Sequence, residues 1–162
     1  MFNSAWSTIF TFFSQVEFIL KILYTRRMTD LEKAKEIFYQ ENCTFVLVKG
    51  DDIIKSTEHA LTPLIKLAEG EKDFTDYSIC DRIAGRAASF LYVLLGLKEV
   101  YAVKMAKLAV QILDRAEIKF EADEYIETIL DADMKDIDKS EQAVVKSGSA
   151  VKALEDLKAA LL

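Results

Sequence analysis

Apolar and polar positions first fall into a regular helical pattern at Thr29. From there Leu31, Ala34, Ile37 and Phe38 share one face, with Glu32, Lys33 and Lys35 elsewhere, the spacing of an amphipathic helix. Its start, Thr29-Asp30-Leu31-Glu32, has the capping-box spacing, in which the Thr hydroxyl and the Glu carboxylate each take a backbone N–H. The period then changes. Thr44 to Val48 reads as a strand buried on both faces. Gly50-Asp51 reads as a two-residue hairpin turn, the glycine supplying a positive φ, and Asp52 to Lys55 as the returning strand beside the first.

Thr62-Pro63 opens a short helix that Gly70 closes, proline being tolerated at the first helical position. Glu69 to Asp76 is a polar loop. The pattern next predicts one long, largely buried helix from Asp81 to Gly96, apolar on most sides through Ile83, Ala87, Phe90, Leu91 and Leu94. A strand over Lys98 to Val103, a helix over Lys104 to Ala116 and an edge or half-buried strand over Glu117 to Ala122 follow. In the tail, Asp123 to Leu130 reads as helical, Asp131 to Lys139 as an acidic segment and Ser147-Gly148-Ser149 as a flexible break. Val151, Leu154, Leu157 and Leu161 mark one face of a last helix, which either closes the core or contacts another subunit. A hairpin followed by strand–helix–strand crossovers predicts an α/β fold, a three-layer mixed sheet with helices on both faces.

Residues 1–27 stand apart as an apolar N-terminal extension to a domain spanning 28–162. Their cations, Lys21, Arg26 and Arg27, lie at the far end, against the order of a secretory signal. Gln15, Glu17 and Lys21 interrupt the run of about 20 apolar residues that a membrane span needs. Three readings stand: an amphipathic helix on a membrane or on the domain, a weak anchor with Arg26 and Arg27 on the cytoplasmic side, or a true translation start at Met28. Membrane contact is expected only if this segment is real and exposed.

Composition narrows the classes. In 162 residues, 51% are hydrophobic, enough for a sizeable core, and 30% are charged, too many for a wholly membrane-embedded chain. A net charge of -6 and a pI near 4.9 disfavour general nucleic-acid binding, because an acidic surface repels phosphate backbones. Cys43 and Cys80 lie in or beside apolar runs and read as core thiols, which fits a reducing, cytoplasmic compartment.

Four stretches carry a family resemblance: the helix start at Thr29, Cys43-Thr44-Phe45-Val46-Leu47-Val48-Lys49, Asp81-Arg82-Ile83-Ala84-Gly85-Arg86-Ala87-Ala88, and Glu99-Val100-Tyr101-Ala102. Over about Met28 to Glu127 the chain resembles a small prokaryotic domain-of-unknown-function family with a cytidine-deaminase-like fold. That family carries an Asn-Arg stretch and a Cys-Pro-Met-Glu segment towards its C-terminus, and Ile126 to Gln142 here has neither. The implied fold would place a catalytic zinc between two helix starts, held by a His or Cys and by a Pro-Cys-x-x-Cys pair, with a Glu moving protons. Here those places read Asp81-Arg82-Ile83-Ala84-Gly85-Arg86 and Val103-Lys104-Met105-Ala106-Lys107. No zinc, no other cofactor and no zinc-dependent deaminase activity is expected.

Other candidates fall away on spacing. His59 reads as solvated or capping. An EF-hand beginning at Asp131 would need Gly and Glu where Asp136 and Gln142 stand. What is left is Asp81, Arg82, Gly85 and Arg86. On the predicted helix the two arginines are one turn apart on one face, and guanidinium groups favour phosphate or carboxylate. Gly85 costs a helix about 1 kcal/mol relative to Ala, which suggests close approach of a ligand or of a neighbouring strand. The competing reading has Asp81 capping, Gly85 allowing tight packing and the arginines pairing with surface acids. The leading expectation is a non-catalytic domain binding a nucleotide or other phosphorylated small molecule. The alternatives are a self-associating scaffold and an enzyme of metal-free chemistry, for which no nucleophile–base pair stands out.

Overall fold

A computed structural model describes residues 28–162; the readings of residues 1–27 lie outside the described residues. The first helix, α1 (Asp30–Glu41), begins as its sequence predicts. The Glu32 N–H donates to Thr29 Oγ1 at 3.1 Å and the Thr29 N–H to Glu32 Oε2 at 2.9 Å. Strands β1 (Phe45–Lys49) and β2 (Asp52–Ser56) form the expected hairpin, with Lys49 opposite Asp52 and Gly50 at φ 61° between them. Helix α2 (Thr62–Glu69) opens at Pro63.

The next element differs from the prediction. Residues Ser78–Ala84 form a strand, β3, and α3 begins only at Arg86, running to Leu95. Two physical facts hid it. Ser78 and Asp81 are buried polar residues inside the strand, so it lacks a clean apolar signature. Gly85 alone separates strand from helix, so the two elements merge into one apolar stretch. Smaller shifts follow: β4 (Glu99–Ala106) extends three residues beyond Val103, α4 spans Lys107–Arg115, and β5 (Lys119–Ile126) occupies sequence expected to turn helical at Asp123. A short helix α5 (Lys139–Ala143) and the final α6 (Ala150–Leu161) complete the order.

The sheet order is β2-β1-β3-β4-β5. β1 is antiparallel to both β2 and β3, whereas β3, β4 and β5 run parallel. Two successive crossovers in one direction put α3 and α4 on the same face. There, with α2 and α6, they enclose the larger core around Leu47, Ile79, Leu91, Val100 and Leu113. Among the described residues α1 covers the other face, burying Phe38 against Val46, Cys80 and Tyr101. The fold is thus a three-layer α/β sandwich, as expected, with unequal outer layers. Among the described residues no helix is long and apolar enough to cross a membrane.

The tail closes the core. Ala153 and Leu157 are fully buried in the larger cluster, Leu154 and Leu161 pack against it, and only Val151 of the stripe is exposed. Ser149, in the segment read as a flexible break, caps α6 by accepting the Lys152 N–H at 3.2 Å. Leu157→Ala should therefore cost about 2–5 kcal/mol in urea denaturation, while Val151→Ala should stay within roughly 0.5 kcal/mol. Equal effects would refute the assignment of this helix to the core.

Candidate functional site

The change of strand direction between β1 and β3 sets the site. Because the two are antiparallel, the start of β1 lies beside the end of β3: Phe45 pairs with Asp81, and the Arg82 N–H donates to the Thr44 carbonyl at 2.9 Å. Beyond β3 the chain leaves the sheet for α3, and a cleft of about 480 Å³ opens there. Thr44 and Phe45 line one side and Asp81, Arg82 and Ile83 another; Gly85 and Ala88 form part of its floor. The approach to α2 contributes Glu58, His59 and Leu61, and the tail contributes Ile129 and Asp138 to Glu141. The volume lies within the range of small-molecule pockets.

Asp81 is 7% exposed. Its side chain accepts the Tyr92 hydroxyl at 2.5 Å and the Ile83 N–H at 3.2 Å. Burial pushes its carboxyl up to about 6, and the bonds from Tyr92 and Ile83 only partly offset that. Burial likewise raises the Tyr92 hydroxyl.

Arg82 sits on the strand and not on a helix. It therefore does not share a helical face with Arg86, and the expected one-turn spacing is corrected by the presence of β3. Its Nη2 donates to Asn42 Oδ1 at 3.0 Å and to the Cys43 carbonyl at 2.7 Å, and the guanidinium lies over the Phe38 ring at 5.1 Å. Among the described residues its buried Nε has no hydrogen-bond partner. Arg86, the first residue of α3, lies outside the cleft lining and donates through Nη1 to the Val145 carbonyl at 3.2 Å. Among the described residues neither arginine pairs with a surface acid, as the competing reading supposed; both hold to neutral acceptors.

Gly85 shows what approaches it. A Cβ there would lie 2.4 Å from Glu141 Oε1 and 2.4 Å from Ile129 Cδ1. The neighbour is the chain's own tail, neither a strand nor an outside ligand. Glu141, 5% exposed, accepts the Arg86 N–H through Oε2 and the Ala87 N–H through Oε1, both at 2.9 Å. It satisfies two of the orphan donors at the start of α3, where negative charge is favoured. Burial raises its carboxyl, and the two N–H bonds only partly offset that. Asp81 therefore does not cap α3; Glu141 does.

The structure thus gathers Asp81, Arg82 and Gly85 in one cleft and leaves Arg86 outside it. Sequence reasoning missed Glu141, and no local signal marks it, since its contact spans 55 residues. His59 is exposed at the cleft. The acidic run from Asp131 forms a solvated turn closed by the Asp131 N–H to Asp136 carbonyl bond at 2.8 Å. The residues where the deaminase-like fold would hold zinc are Gly85, Arg86 and Ala87 at the start of α3 and Ala106 and Lys107 at that of α4. They carry no sulfur or imidazole and do not fit that ion. Among the described residues no three His, Cys, Asp or Glu side chains form a metal-holding group.

Residues 33–161 match the family model TM1506, described as a domain of unknown function, DUF1893. The match runs past Glu127, so the tail that lacks the Cys-Pro-Met-Glu segment lies within it. The crystal structure of a DUF1893 family protein, TM1506 from Thermotoga maritima, is 20% identical and superposes with a TM-score of 0.74 over 83% of this chain and 92% of that one. It shares the fold. An apo dCMP deaminase from the cyanophage S-TIM5 is 16% identical and overlaps with a TM-score of 0.37, over 59% of this chain and 93% of that one. No curated protein matches.

Two outcomes follow. Folded Asp81 keeps its proton up to about pH 6, whereas in the unfolded chain the group ionises near 3.8. Stability from this group is therefore full below the lower value and declines, by roughly 3 kcal/mol in all, as pH rises to the upper one. Asp81→Asn should remove that decline in denaturation curves taken across the window; an unchanged slope would contradict it. Gly85→Ala should destabilise by about 1–3 kcal/mol through overpacking, although φ -105° suits alanine, and a neutral result in thermal unfolding would show the approach to be looser.

Proposed function

The chain belongs to the DUF1893 family, and from that premise we propose that it is a binding domain whose cleft at the end of β3 takes a small anionic molecule of the nucleotide or phosphorylated-metabolite class. The carrying observation is Arg82. Arg82 is one of the residues lining the cleft; among the described residues its guanidinium has only neutral acceptors as partners, and its buried Nε has none. Its charge is therefore not cancelled by a paired carboxylate, and a planar fork of this kind suits phosphate or carboxylate. Lys139 adds a second cation to the lining.

Position supports the same reading. In open α/β sheets ligands collect outside the carboxyl ends of strands where the chain order reverses, and the cleft lies where antiparallel β1 meets the parallel half of the sheet. No residue is assigned a catalytic role. The self-association alternative draws nothing from the last helix, whose apolar stripe is largely spent in the core.

A thermal-shift screen of nucleotides, sugar phosphates and inorganic phosphate tests the reading. At least one anion should raise Tm, and Arg82→Gln should weaken its binding roughly tenfold to a hundredfold, the worth of one charge-assisted contact. Arg86→Gln, outside the cleft, should leave binding unchanged. A shift from no anion, or one indifferent to Arg82, would overturn it.

A further inference from the structure

The cleft lined by Arg82 is also lined by two carboxylates that form no ion pair among the described residues. Asp81 and Glu141 are each more than nine-tenths buried and both line it. Each accepts two hydrogen bonds from the chain. An ionised carboxylate has about four acceptor positions, so both retain capacity. Every described Lys and Arg that forms an ion pair does so elsewhere: Lys33, Lys35, Lys55, Lys72, Lys98, Lys104, Lys107, Lys152 and Lys158 are taken by other acids. Buried carboxylates are normally compensated by a cation. Here burial has raised both carboxyls, and the nearby charges of Arg82 and Arg86 offset it only in part.

The rest of the lining suits a molecule with a carbon body. Phe45, Leu64, Ala88, Ile129 and Leu161 give the cleft an apolar wall between its polar groups. Pockets of this make-up bind by enclosing an apolar frame and fixing its orientation through a few polar contacts.

We infer, resting on the anion reading above, that the ligand is a zwitterion: a phosphate or carboxylate directed to Arg82, carried on a short carbon frame with a protonated amine directed to Asp81 and Glu141. An ammonium brings three donors, enough to reach both acids. A ligand of this class neutralises the buried pair and the arginine together, whereas a simple anion answers only one of them and adds repulsion at the other.

Matched pairs of ω-aminoalkyl phosphates and alkyl phosphates of equal chain length, titrated into the full chain by calorimetry, test this. At one or more lengths the aminated member should bind at least about tenfold more tightly. Asp81→Asn and Glu141→Gln should erase that advantage, the alkyl phosphate's affinity rising as the repulsion from the acids is removed. If alkyl phosphates bind as tightly as their aminated partners at every length, the zwitterion falls and the Arg82 reading stands. If neither series binds, the anion reading falls and takes this one with it. An advantage that survives both substitutions would place the amine elsewhere and refute the assignment. Should Asp81→Asn fail to fold, Glu141→Gln and the wild-type comparison still decide.

Discussion

Everything distinctive about this fold follows from how β3 is paired. Among the described strands it is the one with an antiparallel neighbour on one side and a parallel neighbour on the other. Antiparallel pairing lets β1 and β2 be joined by two residues, while parallel pairing forces the long crossovers through α3 and α4. Among the described residues, the crossovers put α3 and α4 on one face with α2 and α6, and α1 packs on the other. The same reversal brings the start of β1 against the end of β3, so β1 does not extend over the place where β3 gives way to α3. A cleft there is a consequence of connectivity before it is a consequence of side chains.

What fills the edge of that opening is the tail. Glu141 reaches the first N–H groups of α3 from a five-residue helix, and its approach is close enough that the position facing it has no room for a Cβ. A single carboxylate therefore does two things. It completes the hydrogen bonding of a helix start that has no side-chain cap of its own, and it ties the segment after β5 to the centre of the molecule. Asp81, a few residues back on β3, is held by a tyrosine from the same helix. Both acids are costly to bury, and both are kept beside the cleft.

Much of the frame was legible in the sequence because its signals are local. The capping box at Thr29 and Glu32, the turn at Gly50, and the Pro63 start need only neighbours in the chain to be read. The central strand was not legible, because its pattern is set by what it pairs with. Cys80 faces α1, Asp81 faces α3, and both are buried only because sheet and helices enclose them. A single glycine between strand and helix gave no break to mark the boundary. The same applies to the site. Asp81, Arg82 and Gly85 stood out through their residue types, but the geometry assumed for Arg82 and Arg86 depended on a helix that begins later. Glu141, far away in the chain and one acid among many, carried no local mark at all.

The outermost strands have a quieter consequence. β2 is short, and its Asp52 and Lys55 are tied to Lys72 and Glu41. β5 carries Lys119, Glu121, Asp123 and Glu124 at exposed positions, with Glu121 and Glu124 engaged by Lys35 and Lys104. A foreign strand seeking the free backbone groups of either border would first have to strip these charges of water and partners, the device by which natural sheets discourage stacking into fibrils. A chain that is half hydrophobic by composition thus keeps its greasiest strands, β1 and β3, in the middle of the sheet, where no second molecule can zip onto them.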